Sequence, residues 1–201
     1  MSSKSATQSK RRAIFLDRDG TIIREIAGQY LTEVRGLRLL PKAALAIRKM
    51  NELGFLTVIV TNQGGIAKGL MTEKRLDEIH GLLIDRLSKD SAYIDAIYYC
   101  PHHPQGKIKG YAMQCRCRKP EIGMIIEAVK SHNIDLKKSY IIGDRTMDIL
   151  AGERAKITTI LLKTGASGKD GKWVIKPDFV ANDLLRAVAI IKQIEKKDEK
   201  K

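Results

Sequence analysis

Several things are scarce in this chain. Its 201 residues include three cysteines, five prolines and one tryptophan, and aromatic residues make up 5%. No apolar run approaches the roughly 20 residues that a membrane-spanning helix needs. The opening MSSKSATQSKRR lacks the apolar stretch of a secretory signal and reads as a disordered basic tail over 1–12. Three cysteines without such a signal argue against a disulfide framework and for a reducing compartment, where clustered Cys and His more often bind metal. A cytoplasmic protein is expected. Acids are outnumbered, 23 against 37 basic residues, for a net charge of +14. Part of that excess lies at the ends, in Lys4, Lys10, Arg11 and Arg12 and in the closing KKDEKK. The rest is spread thinly, without the aromatic-interleaved basic stripe that stacks bases. An anionic small substrate accounts for the charge as well as nucleic acid does. Repeats and long linkers are also lacking, and 43% hydrophobic residues suffice for one core. The expected organisation is one domain over 13–192 with a charged tail over 193–201.

What is present is alternation. AIFLD (13–17), FLTVIVTNQGG (55–65), YIDAIYYC (93–100), SYIIGD (139–144) and ITTILLKTG (157–165) read as strands. Between and after them, helical patterns cover 41–54, 71–90, 121–133, 146–156 and 181–197. Pro41 and Gly54 punctuate the first helix, and Thr72 is a candidate cap for the second. Strands alternating with helices predict crossover units and an α/β fold with a parallel sheet covered on both faces. Three strands end in polar residues, at Asp17, at Thr61-Asn62 and at Asp144. Ligands of open parallel sheets bind at the carboxyl ends of the strands, so these residues are expected to meet.

The stretch FLDRDGTI places Asp17 and Asp19 two residues apart at a strand tip. Carboxylates so close repel unless they share a cation or a proton. Mg²⁺ is a hard ion that takes oxygen ligands, and Asp144 could supply a further carboxylate. A second cluster lies in CPHHPQGKIKGYAMQCRCRKP (100–120), which holds all three cysteines and two of the four histidines. Cys100-x-His102, then twelve residues, then Cys115-x-Cys117 supplies the four ligands of a closed tetrahedral zinc site, which has no open position for substrate and is therefore structural. Spacing leaves His103 as the alternative ligand. Three buried reduced cysteines beside an incidental His pair are the alternative to zinc. Metal binding would supply the free energy that ordering so long a loop requires, and the loop delivers Arg118 and Lys119 directly off its last ligand.

Taken together, DRDGT, TNQGG, RKP and GDRTMD resemble the four ordered motifs of the haloacid dehalogenase superfamily of phosphotransferases, over about residues 13 to 190. Within it, CPHHP…CRCRKP is similar to the branch of the D-glycero-D-manno-heptose-1,7-bisphosphate 7-phosphatases and histidinol-phosphate phosphatases. The resemblance implies a Rossmannoid three-layer fold, Mg²⁺-dependent phosphomonoester hydrolysis and an aspartyl-phosphate intermediate. It implies Asp17 as nucleophile and Asp19 as general acid and base, with Mg²⁺ held by Asp17, the Asp19 main-chain carbonyl and Asp144. Thr61 and Lys119 would hold the phosphoryl oxygens, and backbone N–H groups near Asn62 and Gln63 could face phosphate. His102 is favoured as the zinc ligand, with His103 packing or hydrogen bonding. Asp148 would orient metal-bound water, or else be an exposed first-turn acid. Substrate contacts map onto Glu25, Ile26, Ala27 and Gly28, onto Asn62, Gln63 and Gly64, and onto Arg118 and Arg145. Arg118, with its bidentate fork, suits the substrate's far end, such as a second phosphate.

The pattern departs from the family at Gly64, where Ser or Ala is more usual, and at Glu121-Ile122, where basic or small residues often stand. No insertion is large enough for a separate cap domain. The expected reaction is removal of the 7-phosphate of a heptose 1,7-bisphosphate by a monomer. Histidinol phosphate, a nucleic-acid 3′-phosphate, or zinc-stapled nucleic-acid binding without catalysis are the alternatives.

Overall fold

In a computed structural model of the chain, residues 9–25, 29–171 and 173–198 are described. Among them the strands β1 (Ala13–Leu16), β2 (Leu56–Asn62), β3 (Ala96–Cys100), β4 (Tyr140–Gly143), β5 (Thr158–Leu162) and β6 (Phe179–Ala181) form one sheet. Its order is β3-β2-β1-β4-β5-β6, and every pairing is parallel. The helices are α1 (Ala43–Glu52), α2 (Glu73–Ser88), α3 (Gly123–His132), α4 (Thr146–Ala155) and α5 (Leu184–Asp198). No helix among the described residues is long and apolar enough to cross a membrane.

Burial on both faces explains why the strands read as near-continuous apolar runs. In β1 the two-residue period still sorts the side chains. Ile14 and Leu16 join Ile47 of α1, Leu83 of α2 and Val188 of α5 in one core. Ala13 and Phe15 join Ile125 of α3 and Ala151 of α4 in the other. Two helix signals hold at the expected places, whereas α1 begins at Ala43, two residues beyond Pro41. Thr72 Oγ1 accepts from the Arg75 N–H at 3.2 Å, and Gly54 turns out of α1 at a φ of 77°.

Four expectations are corrected. The last strand, β6, is three residues long, and α5 starts at Leu184 rather than at 181. The first tail does not extend to residue 12. Arg11 exchanges backbone hydrogen bonds with Asn133 and Asp135, and Arg12 pairs with Glu195 of α5. Residues 193–198 belong to α5 and are not a tail. The strand expected to run on to residue 165 stops at Leu162, whereas β2 ends at Asn62, where its glycine turn begins. The rest of both tails, 1–8 and 199–201, lies outside the described residues. Between β1 and β2 the described chain makes isolated bridges at Ile23, a 3-10 turn (Val34–Gly36) and α1, with no separate cap module.

Candidate active site

Strand order places the site. β1 pairs with β2 on one side and β4 on the other, so the chain switches direction across the sheet beside Asp17. Asp17 directly follows β1 and donates its N–H to Ile142 O of β4 at 3.0 Å. Thr61 and Asn62 end β2, and Asp144 follows β4. One helical turn on, Asp148 caps α4 by accepting the Arg145 N–H at 3.1 Å on Oδ2. Asp148 is buried, which corrects the reading of it as an exposed first-turn acid.

Asp17, Asp144 and Asp148 each offer a carboxylate oxygen within 4.8 Å of the others, and all three are buried. Lys119 Nζ, 3% exposed as a residue, lies 2.7 Å from Asp17 Oδ1 and 2.6 Å from Asp148 Oδ1. One cation therefore meets two of the three acids. Burial raises the Asp17 carboxyl to about 7; Asp148 and Asp19 add to this, and Lys119 opposes it. Asp144 is raised to about 8 by burial and by Asp17 and Asp148, against the Ala166 N–H that its Oδ2 accepts at 2.6 Å. For Lys119 burial disfavours the charge, but Asp148 and Asp17 outweigh it and the ammonium is held firmly protonated. Asp144 Oδ1 is buried with no hydrogen-bond partner among the described residues. Two glycines press against the same carboxylate. Gly20, at a φ of 82°, and Gly165, at 51°, approach so closely that a Cβ on either would fall on Asp144 Oδ2. An excess of hard oxygen donors around an orphaned acceptor fits a divalent cation.

Asp19 is held differently. Arg18 Nη2 donates to its Oδ1 at 3.2 Å and Oδ2 at 2.9 Å, and Gln63 Nε2 donates to Oδ2 at 2.9 Å. Gln63 Nε2 also reaches Thr61 Oγ1, at 2.8 Å. The Gln63 N–H is engaged by Cys100 O at 2.8 Å, so the expectation that it faces phosphate is corrected, and its buried side chain sits behind the site. Asn62 is likewise occupied. Its Oδ1 accepts the Lys119 N–H and its Nδ2 donates to Lys119 O, each at 3.0 Å, so that it clamps the Lys119 backbone in both directions.

A cleft of about 270 Å³ opens over these groups, lined among others by Asp17, Asp19, Thr61, Asn62 and Asp148. Arg118 and Arg145 also line it. Arg118 Nη1 donates to His102 O at 3.0 Å, and Arg145 pairs with Glu25. Gly64 is crowded, since a Cβ there would stand 3.1–3.2 Å from His103, Arg118 and Tyr30. Ile26, Ala27 and Gly28 lie outside the described residues. Sequence reasoning missed Tyr30, Lys68, Gln29 and Met147 as cleft residues. Lys68, whose Nζ stands 5.2 Å from the Tyr30 ring centroid, follows TNQGG closely enough to have been sought there. His103 also lines the cleft, and its Nδ1 accepts the Gln105 N–H at 3.1 Å.

The cysteine loop closes on itself. Cys117 Sγ lies 3.1 Å from Cys115 Sγ and 3.2 Å from Cys100 Sγ, and Cys100 and Cys115 are 3.4 Å apart, all three as free thiols. His102 Nδ1 completes the group at 3.3 Å from Cys117 Sγ and 3.7 Å from Cys100 Sγ. These four ligand atoms, and not His103, lie together within 4.8 Å. Three sulfurs and one nitrogen converging without a disulfide are a donor set suited to a soft metal.

Comparison with known proteins agrees with this geometry. A HAD-hydrolase-like family model matches residues 116–187. The chain is 38% identical over 188 residues to the D-glycero-beta-D-manno-heptose-1,7-bisphosphate 7-phosphatase of Pasteurella multocida, covering 92% of this chain and 97% of that protein. It is 39% identical over 181 residues to the protein of the same name from Yersinia pestis, covering 90% and 95%. Among solved structures, the D,D-heptose 1,7-bisphosphate phosphatase of B. bronchiseptica, complexed with magnesium and phosphate, superposes with a TM-score of 0.81 at 28% identity, covering 91% of this chain and 99% of that one. With more than a third of its residues identical over nearly its whole length, the chain belongs to the HAD-like hydrolases, in the family of the heptose-1,7-bisphosphate 7-phosphatases.

Proposed function

We propose that this protein is a Mg²⁺-dependent phosphatase that releases the 7-phosphate of D-glycero-β-D-manno-heptose 1,7-bisphosphate, as a single-domain, monomeric cytoplasmic enzyme. The carrying observation is the buried group of Asp17, Asp144 and Asp148 around Lys119 at the strand tips, beneath a cleft flanked by Arg118 and Arg145. The names of its relatives support the substrate and its anomer.

Asp17 attacks phosphorus as the ester P–O bond breaks, and Asp19 gives the departing alkoxide its proton. Water then attacks the aspartyl-phosphate, Asp19 takes a proton from it, and Asp17 and inorganic phosphate are regenerated. Lys119, steadied by Asp148, orients the Asp17 carboxylate and faces the charge that develops on the phosphoryl oxygens. Thr61 accepts from Gln63, which leaves its own O–H to donate toward the cleft. Mg²⁺, held by Asp17, Asp144 and the Asp19 main-chain carbonyl, would neutralise charge between nucleophile and phosphate. Arg118 and Arg145 stand where a second phosphate needs cations. Arg145 must exchange Glu25 for it. Cys100, His102, Cys115 and Cys117 would hold a structural Zn²⁺ that fixes the loop carrying Arg118 and Lys119.

Phosphate release with Mg²⁺ is to be compared for the α and β heptose 1,7-bisphosphates, histidinol phosphate and a DNA 3′-phosphate, with Asp17→Asn as control. The β-bisphosphate should lead in kcat/KM by orders of magnitude and the variant should be inactive. A lead for histidinol phosphate would keep the chemistry and overturn the substrate, and activity in the variant would overturn the mechanism.

A further inference from the structure

Arg18, between the two motif aspartates, is fully buried. Its guanidinium holds Asp19 through Nη2, which also donates to Gln63 Oε1 at 3.0 Å. Its other amino group, Nη1, lies 3.1 Å from Nε2 of His80, a buried residue of α2 that does not line the cleft. A guanidinium has five donors and no acceptor. Nε2 must therefore accept, which makes the ring neutral with its proton on Nδ1. Burial and the facing Arg18 charge push the His80 imidazolium down to about 3, in agreement. The α2 residues on the same face, Leu76, Ile79 and Leu83, offer Arg18 no side-chain acceptor, and Arg18 Nε already has no partner among the described residues. The ring is thus the acceptor that keeps this half of the guanidinium in place. If it were lost, the buried donor would gain most by turning away from the geometry that grips Asp19.

We propose that His80 is a positioning residue for the general acid and base: from outside the cleft it fixes Arg18, and through Arg18 and Gln63 it sets the orientation of the Asp19 carboxylate. The inference rests on the catalytic role proposed above for Asp19. Its consequence is selective. Orientation of Asp19 matters when an alkoxide leaving group needs a proton, and hardly matters when a stable phenolate leaves. A residue that merely held the fold together would affect both cases alike.

The test is single-turnover formation of the phosphoenzyme in the wild-type protein, His80→Leu and His80→Gln, with p-nitrophenyl phosphate and with an alkyl phosphate. Melting temperatures are recorded alongside. His80→Leu should slow the alkyl phosphate about tenfold or more, a fraction of what acid–base catalysis contributes, and leave p-nitrophenyl phosphate unchanged. His80→Gln, whose amide oxygen can accept from Arg18, should restore the alkyl rate. Equal slowing of both substrates, no slowing of either, or failure of Gln to rescue would overturn the inference. If His80→Leu does not fold, His80→Asn, polar but too short to reach, takes its place with the same expectations. Asp19→Asn separates the two levels: an alkyl phosphate rate equal to wild type in that variant would remove the catalytic reading of Asp19 itself, whatever His80 does.

Discussion

At the scale of single residues, the site is a charge problem that Lys119 half solves. Its ammonium touches Asp17 and Asp148 together, so Lys119→Met leaves two buried carboxylates without their partner. The metal-free variant should lose about 3–5 kcal/mol of stability in urea unfolding, and kcat should fall by at least about a hundredfold. His80 makes a prediction of opposite sign to the usual histidine. Its folded pKa is about 3 and its ordinary value 6.5, so below 6.5 the unfolded chain binds a proton that the folded chain does not. Wild-type stability measured against His80→Gln should therefore fall as pH drops from 6.5 toward about 3. Neither His80 nor Arg18 was legible in the sequence. His80 falls within the apolar stripe of α2, where its polarity looks incidental, and Arg18 looks like a spacer between two acids. Their meaning comes from an inter-element contact that no periodicity encodes. Asp148 was ambiguous for a related reason, since a spacing of one turn from Asp144 is the same for a buried acid and an exposed one.

At the scale of elements, the strands and helices bearing the site were readable because burial on both faces and cap residues leave local traces. Three-residue β6 was not. Phe179 and Val180 are exposed at the sheet edge, and so short a run carries no period. The cysteine loop was legible as a ligand set, yet its purchase on the site was not, because that depends on Asn62 gripping the Lys119 backbone across 57 residues. If zinc orders this loop, stripping it with a chelator while Mg²⁺ is kept saturating should lower kcat/KM, and Zn²⁺ should restore it. Full activity in folded, zinc-free protein would show that the cysteine cluster does not govern Arg118 and Lys119.

At the scale of the whole molecule, the carboxylate group couples global stability to pH and metal. Asp17 and Asp144, ordinarily near 3.8, are raised to about 7 and about 8, so between these limits the folded state binds protons that the unfolded state has lost. Thermal melts of metal-free protein should show these two groups withdrawing stability as pH rises from about 4 to about 8. Mg²⁺, which favours the ionised carboxylates, should weaken or reverse that slope. The Asn62 clamp also bears on how such a protein can vary. The loop is tied at Cys100 by the sheet and at Lys119 by Asn62, while its tip at Lys109 and Gly110 is exposed. Length and composition at that tip can then drift without moving Lys119. The same anchorage lets the outer surface of the loop be rewritten while the place of Lys119 between Asp17 and Asp148 is inherited.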